Sequence, residues 1–509
     1  MKKIFKVLLA FTLAITLVAC GSSSDESGEV LKVGSGADPV SLDPHAVNDQ
    51  ASSRVRTNIY ESLVEQTADL EIKPLLAKEW ENDGKEWTFK LEEGVKFHNG
   101  EEMMASDVVF SLERAQESTE VGHLVESIAS VEAVDDYTVK ITTAEVDLGL
   151  LPALAHTTIA VLSEKAVTEQ GDDYGSGNDG NDPIGTAPFK FEEFQKGKHT
   201  KLVKFDDYWN EDKAAKVSGV TFYPYPENST RLLALQGGDI DIAYDVDNAD
   251  FATVESDDSL KYEKDYDLSY AYAGFNMENE KFQDVRVRKA INLGINYDEI
   301  VDAKTILNGM AQHANTPLSL KANGYNADIP AYEYDPEEAK KLLAEAGVSD
   351  LSFTILTNEN PLRVQIATAI QAQLKEIGVT VTVEQMEWGA YLEATAKGDH
   401  EVFILGWTAV TGDPNYGLSP LFHSDNIGSA GNRTFYSNPE LDAVLDAAAI
   451  SDNEEERFEL YDEAQQIIMD DYVHIPFHYS ERITAMSTNV EGFEIHPSGS
   501  PKLNGVELK

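Results

Sequence analysis

Residues 351–383 read LSFTILTNENPLRVQIATAIQAQLKEIGVTVTV. The first seven form an apolar run typical of a strand, and residues 361–377 place apolar side chains on one face at helical spacing. Valines then alternate at positions 379, 381 and 383, as in a second strand. A strand, a crossover helix and a strand make a βαβ unit, which predicts an α/β fold with parallel strands.

The flanking segments extend this pattern. Asp335 is predicted to cap a helix before the first strand. A short helix at 391–397 leads to residues 401–405, a mostly apolar strand of the kind that is buried on both faces. Residues 87–91 and 137–142 also read as strands, and they indicate a more antiparallel region before about residue 185.

The chain is strongly acidic. It has 40 Lys and Arg against 90 Asp and Glu in 509 residues, a formal net charge of −50. Loss of residues 1–19, which hold Lys2, Lys3 and Lys6 and no acid, would change this charge to −53. Such a surface repels polyphosphate and excludes nucleic acid as an expected partner. The length predicts two to four domains.

The N-terminus has the pattern of an export signal. Three lysines precede an apolar run at 7–18, which at twelve residues is shorter than the roughly 20 that a membrane span requires. Residues 17–20 read LVAC and resemble a lipobox, so Cys20 is predicted to become the lipidated first residue; a chance cysteine in a plain signal is the alternative. Residues 21–28 then form a solvated tether.

Catalytic and metal motifs are mostly missing from the sequence. It has no GxSxG elbow, P-loop or HExxH. His474 and His478 are four residues apart, but Pro476 prevents the helix that would place both on one face. The acids of residues 171–182 miss the EF-hand positions, which favours a flexible loop over a calcium site. We therefore expect no enzyme activity, no metal and no cofactor.

Topology suggests where a ligand would bind. Open α/β sheets bind ligands beyond the C-terminal ends of their strands, and the strand ending at Leu405 runs into residues 406–417, which read GWTAVTGDPNYG. This segment combines aromatic, hydroxyl and carboxylate side chains; a structural turn in which Trp407 fills the core is the alternative. The loop at 34–44 lacks dinucleotide-binding spacing, so we assign it no phosphate role.

Several motifs follow one another along the chain. They are NIYESL at 58–63, KPLLA at 73–77, GVKFHNG at 94–100, ASDVVFSL at 105–112, PIGTAPFK at 183–190, DYW at 207–209, GDID at 238–241 and DVRVRKA at 284–290. In type and order they resemble the peptide/nickel-binding family of extracellular solute-binding proteins, the receptors of ABC importers. The resemblance implies a two-lobed α/β fold (type II) with an additional α+β domain in the N-terminal half.

The resemblance also implies domain boundaries. Residues 1–19 would be the signal peptide and 20–29 the lipidated tether. Lobe I would combine 30–64, 185–270 and 480–509, the additional domain would span 65–184, and lobe II would span 271–479. The chain crossings near 270–274 and 477–482 would act as hinges. The expected product is a monomer anchored through Cys20 to the outer face of the cell membrane of a Gram-positive bacterium.

A peptide held between the lobes, and a permease with its cytoplasmic ATPases, are the partners that the resemblance implies. The ligand-binding residues carried over or inferred are Asp38, Val40, Asp245, Tyr272, Asn276, Arg363, Trp407, Thr408, Val410, Thr411, Asp413 and Tyr416. The chain departs from the family pattern at Val410, where many peptide binders keep an acid, and at Thr357, where the dipeptide branch keeps an arginine. Its 411–416 loop resembles the branch that includes glutathione binders.

Terminal charges of a peptide still need partners. Asp413 or Asp38 could take the amine, and Arg363, in the first turn of a helix, could take the carboxylate. A turn-capping role for Asp413 and a solvated position for Arg363 are equally open. A glutathione, nickel, haem or sugar receptor of the same fold, and an exported hydrolase, are the alternatives for function.

Overall fold

The computed structural model describes residues 29–178, 180–301, 306–428 and 431–509. The predicted signal peptide, the lipobox and Cys20 lie outside the described residues, as does nearly all of the tether. In the described parts of the chain, no helix has both the length and the apolar character needed to cross a membrane.

Some strands alternate with helices, and others follow one another directly. They are β1 (Val30–Ser35), β2 (Val64–Gln66), β3 (Ile72–Pro74), β4 (Ala77–Asp83), β5 (Glu86–Leu91), β6 (Ile128–Asp135), β7 (Thr138–Thr143), β8 (Phe189–Gln195), β9 (His199–Lys204), β10 (Gly219–Pro224), β11 (Ile242–Ala243), β12 (Leu260–Tyr266), β13 (Ser269–Phe275), β14 (Ala311–His313), β15 (Ser352–Asn358), β16 (Thr380–Met386), β17 (Val402–Thr408), β18 (His474–Ser487), β19 (Val490–Glu491) and β20 (Glu507–Leu508).

The helices pack on both the large sheet and the smaller N-terminal sheet. They are α1 (Gln50–Arg56), α2 (Ala105–Gln116), α3 (Leu150–Leu154), α4 (Glu164–Gln170), α5 (Asn228–Gln236), α6 (Phe251–Glu255), α7 (Val285–Leu293), α8 (Tyr297–Val301), α9 (Pro336–Glu345), α10 (Pro361–Glu376), α11 (Trp388–Lys397), α12 (Pro414–Phe422), α13 (Pro439–Ile450) and α14 (Glu454–Asp470).

The predicted βαβ unit is confirmed. β15 pairs in parallel with β16 over its whole length, and α10 connects the two strands. Asp335 caps α9 by accepting a hydrogen bond from the Glu338 N–H, as predicted. Helix α11 begins three residues earlier than predicted, because the Glu387 side chain accepts from the N–H groups of Gly389 and Ala390.

One predicted boundary is wrong. The strand expected to end at Leu405 continues to Thr408, because Gly406, Trp407 and Thr408 pair with the first residues of β13. Side chains on a strand alternate between its two faces, so Trp407 and Thr408 occupy fixed positions at a sheet end instead of a mobile loop.

A single long strand joins the two halves of the main sheet. Within the described residues this sheet has twelve strands, in the order β16-β15-β17-β13-β18-β11-β1-β10-β9-β8, with β12 and β14 also paired to β18. β18 pairs with β14 up to Ser480 and with β12 from Glu481 onward. The chain therefore crosses between the two halves within β18, at residues 480–481. It crosses again between β12 and β13, at residues 267–268, slightly before the predicted position at 270–274.

The N-terminal half contains a separate antiparallel sheet, as predicted. Its order is β4-β5-β7-β6, and its apolar face packs with α2 around buried side chains such as Phe89, Val108 and Ile141. This sheet lies within the predicted additional domain. The three-part division itself stays a prediction, and its names serve below as labels for the residue ranges given above.

Candidate ligand-binding site

A cavity of about 400 Å³ lies where several separate parts of the chain meet. Asn48 and Gln50, at the start of α1, form one wall, and Gln66 of β2 forms another. The C-terminal segment contributes His496, and Val410 is the lining residue that comes from predicted lobe II. The volume falls in the range of small-ligand pockets, about 300–1,000 Å³.

Glu61 places a buried carboxylate in the cavity wall. It accepts hydrogen bonds from Tyr208 Oη at 2.7 Å, Thr186 Oγ1 at 2.8 Å and Trp209 Nε1 at 3.1 Å. Burial raises the pKa of Glu61 above its ordinary value, although these three bonds act in the opposite direction. The carboxylate is therefore satisfied by neutral donors of the protein itself.

A second acid, Glu65, forms ion pairs with two lysines. Lys213 contacts one carboxylate oxygen, and Lys502 lies 2.6 Å from the other. Burial raises the pKa of Glu65, but Lys502 and Lys213 lower it by more, so the pKa lies below its ordinary value. Burial also lowers the pKa of His156 to about 4, so this lining histidine is neutral at pH 7. With Glu61 and Glu494 counted as ionised, the lining carries a formal charge of −1.

Two predicted site residues after β1 do not line this cavity. Asp38 accepts a hydrogen bond from the Gly197 N–H at 2.6 Å, in the turn between β8 and β9. The Val40 side chain is 73% exposed, and its N–H donates to Ser52 Oγ. The cavity-lining residues of this connection come later, at Asn48 and Gln50. A ligand role for Asp38 and Val40 stays a prediction.

The 406–417 segment borders the cavity at Val410. Residues next to Val410 in the sequence form hydrogen bonds with other parts of the protein. Trp407 Nε1 donates to the Tyr416 carbonyl at 2.8 Å, and Thr408 Oγ1 lies 2.9 Å from Ser269 Oγ. The Thr411 carbonyl accepts a hydrogen bond from Gln66 Nε2 at 2.9 Å. This last bond connects predicted lobe II to the β2–β3 hairpin.

Asp413 is engaged by an arginine. Its two carboxylate oxygens lie 2.7 and 2.8 Å from the guanidinium of Arg457, and it also caps α12 by accepting from the Asn415 N–H. Both side chains of the pair are less than 8% exposed. Burial lowers the pKa of Arg457, but Asp413 raises it by more, so the pKa is above its ordinary value. This geometry favours the capping role over capture of a ligand amine.

Asp245 is the centre of an ion-pair network at the chain crossings. Arg54 binds both of its carboxylate oxygens, at 2.6 and 2.8 Å, and Arg482 of β18 lies 2.7 Å from one of them. Arg482 also pairs with Asp267, where β12 gives way to β13. Burial raises the pKa of Asp245, but Arg54 and Arg482 lower it by more. The carboxylate is therefore engaged by arginines of the protein and does not line the cavity; a ligand role for Asp245 stays a prediction.

Tyr272 and Asn276 also make contacts within the protein, and a ligand role for them stays a prediction. The Tyr272 ring is 1% exposed and stacks on His474 with centroids 3.9 Å apart. Asn276 Nδ2 donates to the carbonyls of Gly398 and His400, both at 3.0 Å. Neither residue lines the cavity, because both lie in the packed interior on and beside β13.

Arg363 is half-buried at the start of α10. Its Nη1 donates to Asn358 Oδ1 at 3.1 Å, and its guanidinium carbon lies 5.4 Å from the centre of the Trp388 ring. Burial lowers its pKa from the ordinary value. Among the described residues no carboxylate lies within ion-pair distance of it, so Arg363 stays a candidate partner for a ligand carboxylate outside the cavity lining.

Sequence reasoning missed most of the cavity lining. Asn48, Gln50, His156 and His496 belong to segments that are far apart in the chain and carry no recognisable motif. The topological rule that singled out the 406–417 segment could have found the first two, because Asn48 lies in the connection after β1 and Gln50 is the first residue of α1. In the described residues, no cluster of three His, Cys, Asp or Glu side chains could hold a metal ion.

Comparison with known proteins gives a consistent result. The model for bacterial extracellular solute-binding proteins, family 5 middle, matches residues 71–429. The heme-binding protein A of Haemophilus influenzae is 32% identical over 88% of this chain and 87% of its own length. The glutathione-binding protein GsiB of Salmonella typhimurium is 32% identical over 93% of both chains.

A solved structure is similar along nearly the whole chain. The ABC transporter-associated periplasmic binding protein DppA from Helicobacter pylori, in complex with the peptide STSA, is 32% identical with a TM-score of 0.79. The alignment covers 94% of this chain and 98% of DppA. The α/β fold of the periplasmic binding proteins that the resemblance implied is confirmed.

Proposed function

The chain belongs to family 5 of the bacterial extracellular solute-binding proteins, and from this premise we propose that it captures small peptides in the cavity described above. It then delivers them to the permease of an ABC importer. The observation that carries this proposal is a cavity of about 400 Å³ whose charged groups nearly cancel. A nearly neutral cavity with both polar and apolar walls suits a zwitterion better than a dianion such as haem, because each unpaired ligand charge costs free energy on burial.

Glutathione is the second candidate cargo. The GsiB relatives are named glutathione-binding proteins, and the 411–416 loop of this chain resembles that branch. Its extra carboxylate needs a cation. Lys213 and Lys502 pair with Glu65 and exceed its charge by one, but Glu61 and Glu494 bring the formal charge of the lining to −1. The local charges therefore favour a peptide without an acidic side chain.

A thermal-shift panel tests the proposal. Tri- to pentapeptides, including Ser-Thr-Ser-Ala, are compared with glutathione, haem and nickel-histidine. A peptide present at 100 times its dissociation constant is expected to add about 2.7 kcal/mol to the free energy of unfolding. Stabilisation by haem or nickel alone, with no response to any peptide, would contradict a peptide cargo and leave the family assignment intact.

Two valines provide a matched pair of variants for the same test. Val410→Arg places a long cation in the cavity and is expected to weaken peptide binding by about tenfold to one-hundredfold. Val40→Arg puts the same side chain on an exposed site outside the cavity and should leave the affinity unchanged. Calorimetric titration measures both. If Val40→Arg weakened binding and Val410→Arg did not, the ligand would bind at the loop after β1.

The proposal also includes a membrane anchor and a lack of enzyme activity. The chain acts as a monomeric receptor without enzyme activity, held by a diacylglycerol at Cys20 on the outer face of a Gram-positive cell membrane. One acyl chain binds membranes only marginally, so both chains of the lipid are needed to retain the receptor near its permease. Incubation with peptides, followed by mass spectrometry, tests the lack of hydrolysis; cleavage would contradict it.

The anchor has its own test. Cys20→Ser is expected to abolish incorporation of a fatty-acid analogue during growth and to shift the protein out of the membrane fraction, because the thiol is the proposed attachment point. Wild type and a Ser22→Ala variant, changed two residues away, provide the controls. Equal labelling of the Cys20→Ser variant and wild type would show that the lipoprotein interpretation is wrong.

A further inference from the structure

The tip of the β2–β3 hairpin has an unusual backbone. The Leu70 N–H donates to the Thr67 carbonyl at 2.9 Å, and the Thr67 N–H donates to the Glu71 carbonyl at 3.0 Å, which closes a tight turn. Leu70 has φ of +61°, in the left-handed region that glycine and asparagine favour at this position of a hairpin. A leucine adopts this conformation only when its surroundings compensate for the strain.

The compensation comes from predicted lobe II. The Leu70 side chain is 6% exposed and belongs to a buried apolar cluster with Tyr270, Leu318 and Leu418. It fits against Gly412, where an added Cβ would lie only 2.7 Å from Leu70 Cδ1. Gly412 itself has φ of +70°, so both its conformation and the close contact favour glycine. A side chain of the additional domain is thus inserted into the core of lobe II.

A contact in the opposite direction lies beside it. Tyr416 of α12 packs against the apolar cluster of the additional domain. Its hydroxyl lies 3.1 Å from His123 Nε2, and the two rings stack with centroids 5.8 Å apart. Gln66, next to the same hairpin tip, donates to the Thr411 carbonyl at 2.9 Å. Each region therefore holds one side chain of the other.

We propose that the hairpin tip, residues 67–71, is a latch that holds residues 411–416 of lobe II in the closed form and that Leu70 sets the affinity for the ligand. This inference rests on the proposed function as a cleft-closing receptor. Gln66, Thr67 and Ala68 line the cavity on the hairpin side, and Val410 lines it beside Thr411, so the latch closes one end of the ligand site. Opening would expose Leu70 and remove the packing that compensates for its backbone strain.

The size of the effect follows from the burial of one leucine. Closing the latch removes the Leu70 side chain from water. The usual free energy of burying a leucine side chain corresponds to a factor of about ten to one hundred in the closed-to-open ratio. Ligand that is enclosed by the latch leaves only after opening. Loss of the leucine side chain should therefore weaken ligand affinity by a similar factor.

The test measures closure directly. Spin labels at Glu132→Cys of the additional domain and Glu455→Cys of lobe II, in a chain carrying Cys20→Ser, report the distance between the two regions. Distances are recorded without ligand and with Ser-Thr-Ser-Ala, in the otherwise wild-type chain and in Leu70→Ala, Leu70→Gly and the control Val134→Ala, which changes an exposed residue of the additional domain. Leu70→Gly relieves the backbone strain, so it keeps the test valid if Leu70→Ala folds poorly.

Both Leu70 variants are expected to reduce the closed-to-open ratio by about tenfold to one-hundredfold, whereas Val134→Ala leaves it unchanged. Identical distance distributions in wild type and both Leu70 variants would overturn the latch, as would a wild type without any closed population. Failure of every peptide to stabilise the wild type would refute the proposed function instead. That outcome is distinguishable, because the distance comparison without ligand does not depend on the cargo.

Discussion

Replacing Asp413 by asparagine is expected to lower the free energy of unfolding by about 3–5 kcal/mol. The amide keeps the shape of the side chain and can still cap α12, so the change removes mainly the negative charge. Arg457, whose side chain is 4% exposed, then becomes a buried cation without its bidentate partner. Asp147 lies close enough to influence this pair and can offset part of the loss.

Urea unfolding followed by circular dichroism measures this effect, with peptide titration of the folded variant alongside. Asp425→Asn is the control, because its side chain is 90% exposed and should change stability by less than about 0.5 kcal/mol. If Asp413→Asn left stability intact and lost peptide affinity, Asp413 would be the amine anchor that the sequence suggested. The two interpretations therefore predict opposite pairs of results.

A double variant tests the same mechanism. Asp413→Leu with Arg457→Met removes both charges together, and replacement of a buried pair by apolar residues is often neutral or stabilising. The double variant is expected to be more stable than Asp413→Asn. A double variant that is less stable would show that capping and packing, not charge, dominate at this site.

The second large effect is acid destabilisation. His45, His400 and His478 are each less than 9% exposed, and burial is the main cause that lowers their pKa values, to about 3, 4 and 4. In the unfolded chain these side chains titrate near 6.5. Between about pH 4 and 6.5 the unfolded state binds more protons, so stability rises with pH and is lost as the pH falls.

The expected size follows from the same shifts. Between pH 7.5 and pH 5.5, each histidine lowers the free energy of unfolding by about 1.4 kcal/mol. The three together lower it by roughly 4 kcal/mol. Carboxyl groups whose pKa is raised by burial, such as Glu61, act in the opposite direction as the pH falls. A single-residue comparison is therefore needed to isolate the histidine contribution.

His478→Gln and Ile475→Val provide that comparison. Urea unfolding at several pH values should show a slope of unfolding free energy against pH that is smaller by about 1 kcal/mol per unit in His478→Gln between about pH 4.5 and 6. Ile475→Val, in the same strand, should lower stability by about 0.5–1.5 kcal/mol without changing the slope. Equal slopes in all three proteins would mean that His478 titrates normally in the folded state.

Local elements were predictable because their signals are local. The βαβ unit of β15, α10 and β16 follows from apolar periodicity, and the cap at Asp335 follows from side-chain chemistry at a helix start. The end of β17 was not predictable in the same way. Its last three residues extend the strand only because β13, more than 130 positions earlier, supplies hydrogen-bond partners.

The predicted site residues also differ in whether local sequence or distant contacts determine their role. Val410 lies in the 406–417 segment that the strand-end rule singled out, and it lines the cavity; its choice as a site residue came from the family resemblance. Asp413 and Asp245 looked equally free in sequence, but arginines 44 and 191 positions away occupy their carboxylates in the structure. Whether a carboxylate is available to a ligand depends on such partners, and residue type carries no information about them.

The sequence by itself determined the α/β class, the βαβ unit, the separate antiparallel sheet and the family, since periodicity, caps and motifs are properties of short segments. Only the tertiary structure decided where the cavity lies and which charges remain free within it. Its walls come from residues that lie between 48 and 75, between 155 and 213 and between 492 and 505, together with Val410, and the fold brings them together. The strained Leu70 illustrates the reason: its conformation is unfavourable locally and is compensated by a pocket some 340 residues further along the chain.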